Sequence, residues 1–184
     1  MIFRYIPMVC ILSLLLAPLA AHAQEDPGEP AAGEHAGWSL SGGIGFTADP
    51  DSFLTQFAAP YDFGNGLSLG PQLQIGISDR RTLVESALDL RYSFDLFSRE
   101  GEEPSAFRPF VNAGLGFAYL ERERNNRSDR DDVEALIEAG MGIGYAINES
   151  VSLESAMQLH FLPDELLGER FYFTWQLVGA RYRF

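Results

Sequence analysis

The stretch that most constrains this chain lies at its end, residues 171–184, reading FYFTWQLVGARYRF. Successive side chains of a strand point to opposite faces, which puts Val178, Ala180, Tyr182 and Phe184 on one side and Arg181 and Arg183 on the other. A face of rings backed by a face of guanidinium groups suits a strand with lipid outside and a polar lumen inside. The alternative is the last buried strand of a soluble two-sheet sandwich. Higher in the same segment, Phe171, Phe173 and Trp175 share the parity of the two arginines, so the apolar set changes sides. Either a β-bulge near Gly179 or an upper segment standing above the lipid would account for the change.

The front of the chain sets the compartment. Arg4 precedes an apolar run from Ile6 to Leu16, and Ala21-His22-Ala23 gives a small-x-small cleavage pattern before Gln24. That is the pattern of a secretory signal peptide, residues 1–23. Its apolar run is too short for a membrane helix, and no other run approaches the roughly 20 apolar residues one requires. The only cysteine, Cys10, lies inside it, so disulfides, cysteine-ligated metals and cysteine nucleophiles are excluded from the mature chain. The net charge is −13, and removing the signal takes away Arg4 and no acid, giving −13 − 1 = −14. Such a charge disfavours nucleic acid as a partner. Lysine is absent, so every basic side chain is arginine, the residue suited to bidentate pairing with carboxylate or phosphate.

Residues 24–37 are acidic, rich in Pro and Gly and without periodicity, and read as a disordered periplasmic lead-in whose His35 is a bystander. From Trp38 to the end the dominant period is two, and eight segments emerge. They run from Trp38 to Thr47, Ser52 to Tyr61, Leu67 to Ser78, Thr82 to Leu96, Phe107 to Glu121, Asp132 to Ile147, Val151 to Phe161 and Phe171 to Phe184. The fourth alternates most cleanly: Val84, Leu88, Leu90, Tyr92, Phe94 and Leu96 oppose Glu85, Asp89, Arg91, Ser93 and Asp95. A one-residue slip there would put charges into lipid, so its register is fixed. The second segment contains Pro60 and is supported chiefly by parity, since single-chain bacterial barrels have even strand numbers.

A final strand ending in Phe with another ring two residues earlier resembles the closing strand of bacterial outer-membrane barrels. The stretches Arg108-Pro109-Phe110 through Tyr119 and Glu138 through Leu159 resemble the Pro-aromatic and Gly-x-Gly patterns of the small outer-membrane β-barrel domain family, the OmpA/OmpX-like eight-stranded barrels. The resemblance covers about half of the mature chain and implies an all-β, antiparallel, up-and-down transmembrane barrel over residues 38–184. It further implies that Tyr182 and Phe184 are the signal read by the barrel assembly machinery. Members of the family are structural anchors, adhesins, envelope-stability factors and, in a few cases, lipid A enzymes.

Eight strands leave an interior just wide enough for side chains. The inward set contains Glu85, Asp89, Asp95, Glu138 and Glu154 with Arg91, Arg108, Arg181 and Arg183, and the expectation is that these pair into a plug. Inward Gly114, Gly116, Gly140, Gly142 and Gly144 are expected to make room for the long arginines. A gated ion path through rearranging pairs is the alternative. For catalysis the mature chain offers only His35 and His160, and His160 lacks the His-x-Ser pattern of barrel deacylases, though Glu154 or Asp164 are candidate partners for it. Asp49, Asp51 and the acids from Asp129 to Asp132 lack the fixed ligand spacing of a calcium loop, so neither metal nor cofactor is expected. The loop from Arg122 to Asp131 carries Arg122, Arg124, Arg127 and Arg130, suited to lipopolysaccharide phosphates. The loop from Leu162 to Gly168 is read as a cap over the barrel mouth, and a partner-binding turn there is the functional alternative. The sequence thus reads as a monomeric, non-enzymatic outer-membrane barrel with a structural or surface-interaction role, with a narrow channel or a small lipid A-modifying enzyme as alternatives.

Overall fold

The structure is a computed structural model and describes residues 36–48, 51–78, 81–94, 106–122, 132–163 and 170–184. Eight strands are found among these residues, all antiparallel to their neighbours. They are β1 (Gly37–Ala48), β2 in two segments (Ser52–Ala58 and Tyr61–Asp62), β3 (Leu67–Ser78), β4 (Arg81–Ser93), β5 (Phe107–Arg122), β6 (Asp132–Ala146), β7 (Val151–Phe161) and β8 (Phe171–Arg183). Each pairs with the next, and β8 returns to β1 from Ser39↔Arg183 to Ala48↔Phe173, which closes the ring. Closure matters because a free strand edge cannot be hydrogen-bonded in hydrocarbon. The signal peptide, most of the lead-in with His35, and the acidic and arginine-rich connections at Asp49, Asp95 and Arg124 to Asp131 lie outside the described residues.

The second strand is real but interrupted. Pro60 has no N–H to give, and the ladder breaks at Ala59–Pro60 before resuming at Tyr61. Neighbours bridge the gap: Ala59 donates to the carbonyl of Pro71 at 3.0 Å, and Ser39 donates to that of Pro60 at 2.9 Å. Gly64 and Gly66 take the left-handed backbone that turns β2 into β3, with φ of 79° and 81°.

The apolar face of every strand points outward. Leu115, Phe117 and Met141 are about two-thirds exposed, beside Leu88, Leu90, Val111, Ile137 and Ile143. A soluble protein does not leave so continuous an apolar belt to water. Rings gather at both margins of the belt. Trp38, Tyr61 and Phe63 form an edge-to-face row at the end carrying Phe184, together with the pairs Tyr92–Phe94 and Tyr182–Phe184. Phe46–Trp175 and Phe161–Phe171 occupy the opposite margin. Two aromatic girdles around an apolar band are the signature of a transmembrane barrel.

The change of parity in the last strand is a bulge, two residues before Gly179. Ile44 faces Val178 while the next residue, Gly45, faces Gln176, so Leu177 is the extra residue. The other neighbour shifts at the same level, with Glu154 opposite Gly179 and Ala156 opposite Gln176. Leu177 and Val178 are consequently both outward, 49% and 48% exposed. The bulge is stitched by Ser155, whose hydroxyl donates to the Gln176 carbonyl at 3.0 Å and accepts from the Trp175 indole at 3.3 Å. Phe171, Phe173 and Trp175 thereby join Tyr182 and Phe184 on the lipid side.

Candidate functional site in the barrel lumen

The inward side chains fall into three tiers. At the end opposite Phe184, Leu83, Ala118, Leu120, Leu136 and Leu162 pack against the ring of Tyr172 as an apolar cluster. This tier was not anticipated. An apolar residue on the inward parity, such as Leu83 two places before Glu85, interrupts the alternation for one position without showing what it packs against.

At the end carrying Phe184 lies a charged tier. Glu154 on β7 accepts from Arg91 Nη1 at 2.8 Å and lies 3.1 Å from Arg181 Nε. Asp62 on β2 lies 3.5 Å from Arg181 and 3.5 Å from Arg183. The Arg91 guanidinium also sits 3.5 Å over the ring of Phe110, a cation–π contact. Asp89 accepts from the Asn112 amide at 2.7 Å. Arg108 comes from β5 opposite Gly144 and is half-buried. Asp62 is a participant that the sequence reading omitted, since it falls one residue beyond the Ser52–Tyr61 segment although it shares the parity of Gln56.

Between these tiers lies a polar one that contains Glu85 and Glu138 and, among the described residues, no arginine contact to either. In place of arginine the two carboxylates face His160. Its Nδ1 is 3.3 Å from Glu85 Oε2 and 3.6 Å from Glu138 Oε2, with all three side chains buried. His160 therefore does not pair with Glu154, and Asp164 lies outside the described residues. Register explains the grouping: Glu138, His160 and Tyr172 are directly opposite one another on β6, β7 and β8, and Glu85 reaches across from β4. Tyr172 stacks on the imidazole with ring centres 4.6 Å apart and donates its hydroxyl to Glu85 Oε1 at 2.5 Å. Glutamines complete the layer. Gln56 donates to Gln72 at 2.9 Å, Gln72 to Glu138 Oε1 at 3.2 Å, and Gln74 to Gln158 at 2.6 Å.

The inward glycines serve this layer more than they serve the arginines. A methyl group at Gly114 would sit 2.5 Å from Glu138 Oε1, and one at Gly142 would press into the Phe110 ring. Gly140 makes room for Gln158, while Gly43 and Gly179 do so for Gln176. Gly144 faces an arginine, Arg91, at 3.8 Å. Cross-strand register decides which large side chain a glycine faces, and that is not written in the glycine's own strand.

Of the remaining expected site residues, Tyr182 lies on the lipid side of β8, Phe184 follows that strand, and Arg122 ends β5. Arg124, Arg127, Arg130 and Asp95 are outside the described residues.

No protein-family model and no curated protein matches the sequence. Solved structures do match the fold. Neisserial surface protein A is 14% identical, with a TM-score of 0.63 over 81% of this chain and 97% of its own. The N-terminal β-barrel domain of Pseudomonas aeruginosa OprF is 15% identical, with a TM-score of 0.61 over 82% of this chain and 100% of its own. The outer membrane enzyme PagL also matches, at 13% identity and a TM-score of 0.50 over 79% of this chain and 99% of its own. With a ring closed by β8 on β1, an apolar belt between aromatic girdles and these neighbours, the chain has the fold of the small eight-stranded outer-membrane β-barrels.

Proposed function

We propose that the protein is a monomeric outer-membrane barrel with a structural or surface-interaction role, its lumen closed by its own side chains. The observation that carries this reading is the filled interior. Apolar, polar and charged tiers follow one another between the rims, and the cavity between the last two is about 30 Å³, room for a water or so. A column of water needs far more. Function then falls to the connections between strands, and the stretch from the end of β5 to β6 carries Arg122, Arg124, Arg127 and Arg130, side chains suited to lipopolysaccharide phosphates. Tyr182 and Phe184 are the residues offered to the assembly machinery. Planar-bilayer recording of the refolded barrel tests the closed lumen, with only baseline current expected. Steady, voltage-dependent openings would favour the narrow gated channel instead.

One observation favours a second reading. Thr174 Oγ1, His160 Nε2 and, beyond Nδ1, Glu85 Oε2 stand in line at 2.9 and 3.3 Å, the parts of a hydroxyl–imidazole–carboxylate relay. Thr174 is only 1% exposed and faces the lumen, where no acyl chain in the surrounding lipid meets it. The refolded barrel is expected to release no fatty acid from a long-chain p-nitrophenyl ester. Turnover that disappears in His160→Gln would establish the enzyme reading.

A further inference from the structure

The polar tier holds three acceptor atoms pointed at one another. Glu85 Oε2, Glu138 Oε2 and His160 Nδ1 are buried and have no hydrogen-bond donor, yet the ligand atoms of the three residues lie within 4.8 Å of one another. Each residue's other polar atom is already engaged. Glu85 Oε1 accepts from Tyr172, Glu138 Oε1 accepts from Gln72, and His160 Nε2 meets Thr174 Oγ1 at 2.9 Å. In the tautomer that lets the Thr174 hydroxyl donate to Gln158 Oε1 at 3.4 Å, that hydroxyl accepts from the imidazole Nε2–H. That leaves Nδ1 with a lone pair aimed at two carboxylate oxygens.

The geometry points to a divalent transition-metal site, of the zinc class, formed by Glu85, Glu138 and His160. The atoms suit such an ion: zinc takes imidazole nitrogen and carboxylate oxygen at about 2.0–2.2 Å. Ligands at that range around one ion stand roughly 3.0–3.6 Å apart, and the two measured edges are 3.3 and 3.6 Å. An imidazole donor disfavours calcium and magnesium, which prefer oxygen throughout. Charge agrees as well, because one divalent ion neutralises two carboxylates in a layer where the recorded ion pairs of Glu85 and Glu138 are with His160 alone among the described residues. The partners from Tyr172, Gln72 and Thr174 are the outer hydrogen bonds that orient metal ligands and fix the imidazole tautomer. Gly114 is the necessary gap, since any side chain there would push Glu138 off its position. The ion would tie β4 to β6 and β7 across the lumen.

Cobalt(II) is a suitable probe because its visible absorption reports ligation directly. The chain is refolded from urea into detergent micelles with Co²⁺, desalted, and analysed for metal content and absorption. The expected result is one equivalent of cobalt per folded chain with ligand-field bands in the visible. Glu138→Gln and, separately, Glu85→Gln should each lower retention at least tenfold. Folding of each variant is scored by its altered mobility without heating, and Tyr172→Phe, which keeps all three ligands, should retain cobalt more weakly than wild type but measurably. Folded wild-type barrel that retains no more cobalt than a folded Glu→Gln variant would overturn the site. Absence of ligand-field bands in folded wild type would do the same.

Discussion

Deleting Leu177 abolishes the folded barrel, whereas Leu177→Ala leaves it intact. The extra residue at the bulge is what lets Phe171, Phe173 and Trp175 face lipid on the same strand that turns Arg181 and Arg183 inward. Without it, one half of β8 must reverse. If the upper half reverses, three large rings enter a lumen already filled by Leu120, Leu136 and Leu162, while Thr174 and Gln176 turn into hydrocarbon. An unsatisfied polar group there costs several kcal/mol, and overpacking adds about 1–3 more. If the lower half reverses, Arg181 and Arg183 leave Asp62 buried without its cations and Glu154 with one of two, and the Tyr182 ring is driven into the charged tier. Either reversal takes away a large share of the roughly 5–15 kcal/mol that keeps a small domain folded. The check is the mobility of the refolded chain with and without boiling, which differs for a closed barrel. A deletion variant that keeps the fast unheated band at normal yield would mean that the strand re-registers at low cost.

Glu154→Gln is expected to destabilise the barrel by about 3–5 kcal/mol, because it leaves Arg91 and Arg181 buried without their shared carboxylate. The contrast is Arg183→Gln. That guanidinium is more exposed and touches Asp62 at 3.5 Å, a contact worth about 0–1 kcal/mol. Urea unfolding of the two variants in lipid vesicles should therefore separate them clearly. Equal losses would show that the charged tier shares its load instead of resting on Glu154.

The sequence made the fold legible wherever misplacement would be costly. In β4, Glu85, Asp89 and Arg91 cannot face lipid, so the alternation had one solution, and the strand runs as expected from near Thr82 until Ser93. β3 and β7 match their expected bounds, Leu67–Ser78 and Val151–Phe161. β8 was half legible: the parity change demanded an explanation, but Gly179 drew attention away from Leu177, since a bulge needs no glycine. The lumen was legible as a list and not as a map. That Glu85 meets His160, and that Asp62 instead of Glu85 or Glu138 takes Arg181 and Arg183, follows from the stagger of strands on opposite walls, which no local pattern records. The inward glutamines Gln72, Gln74 and Gln158 carried the available signal for a layer that is polar without being ionic.

The contact between Arg181 and Asp62 spans 119 residues and joins the last strand to the second, over the top of β1. It has no counterpart in an open sheet, where the two strands lie at opposite margins. Until β8 arrives, Asp62 lacks both of its cations and Glu154 lacks one of two, so the unfinished lumen carries an excess of negative charge that the two arginines of the final strand reduce. The end of the chain thus acts as proofreader: a sheet that closes in the wrong order or one strand short leaves Asp62 without its cations and Glu154 with one of two, and the correct ring is the arrangement that pairs both at the seam.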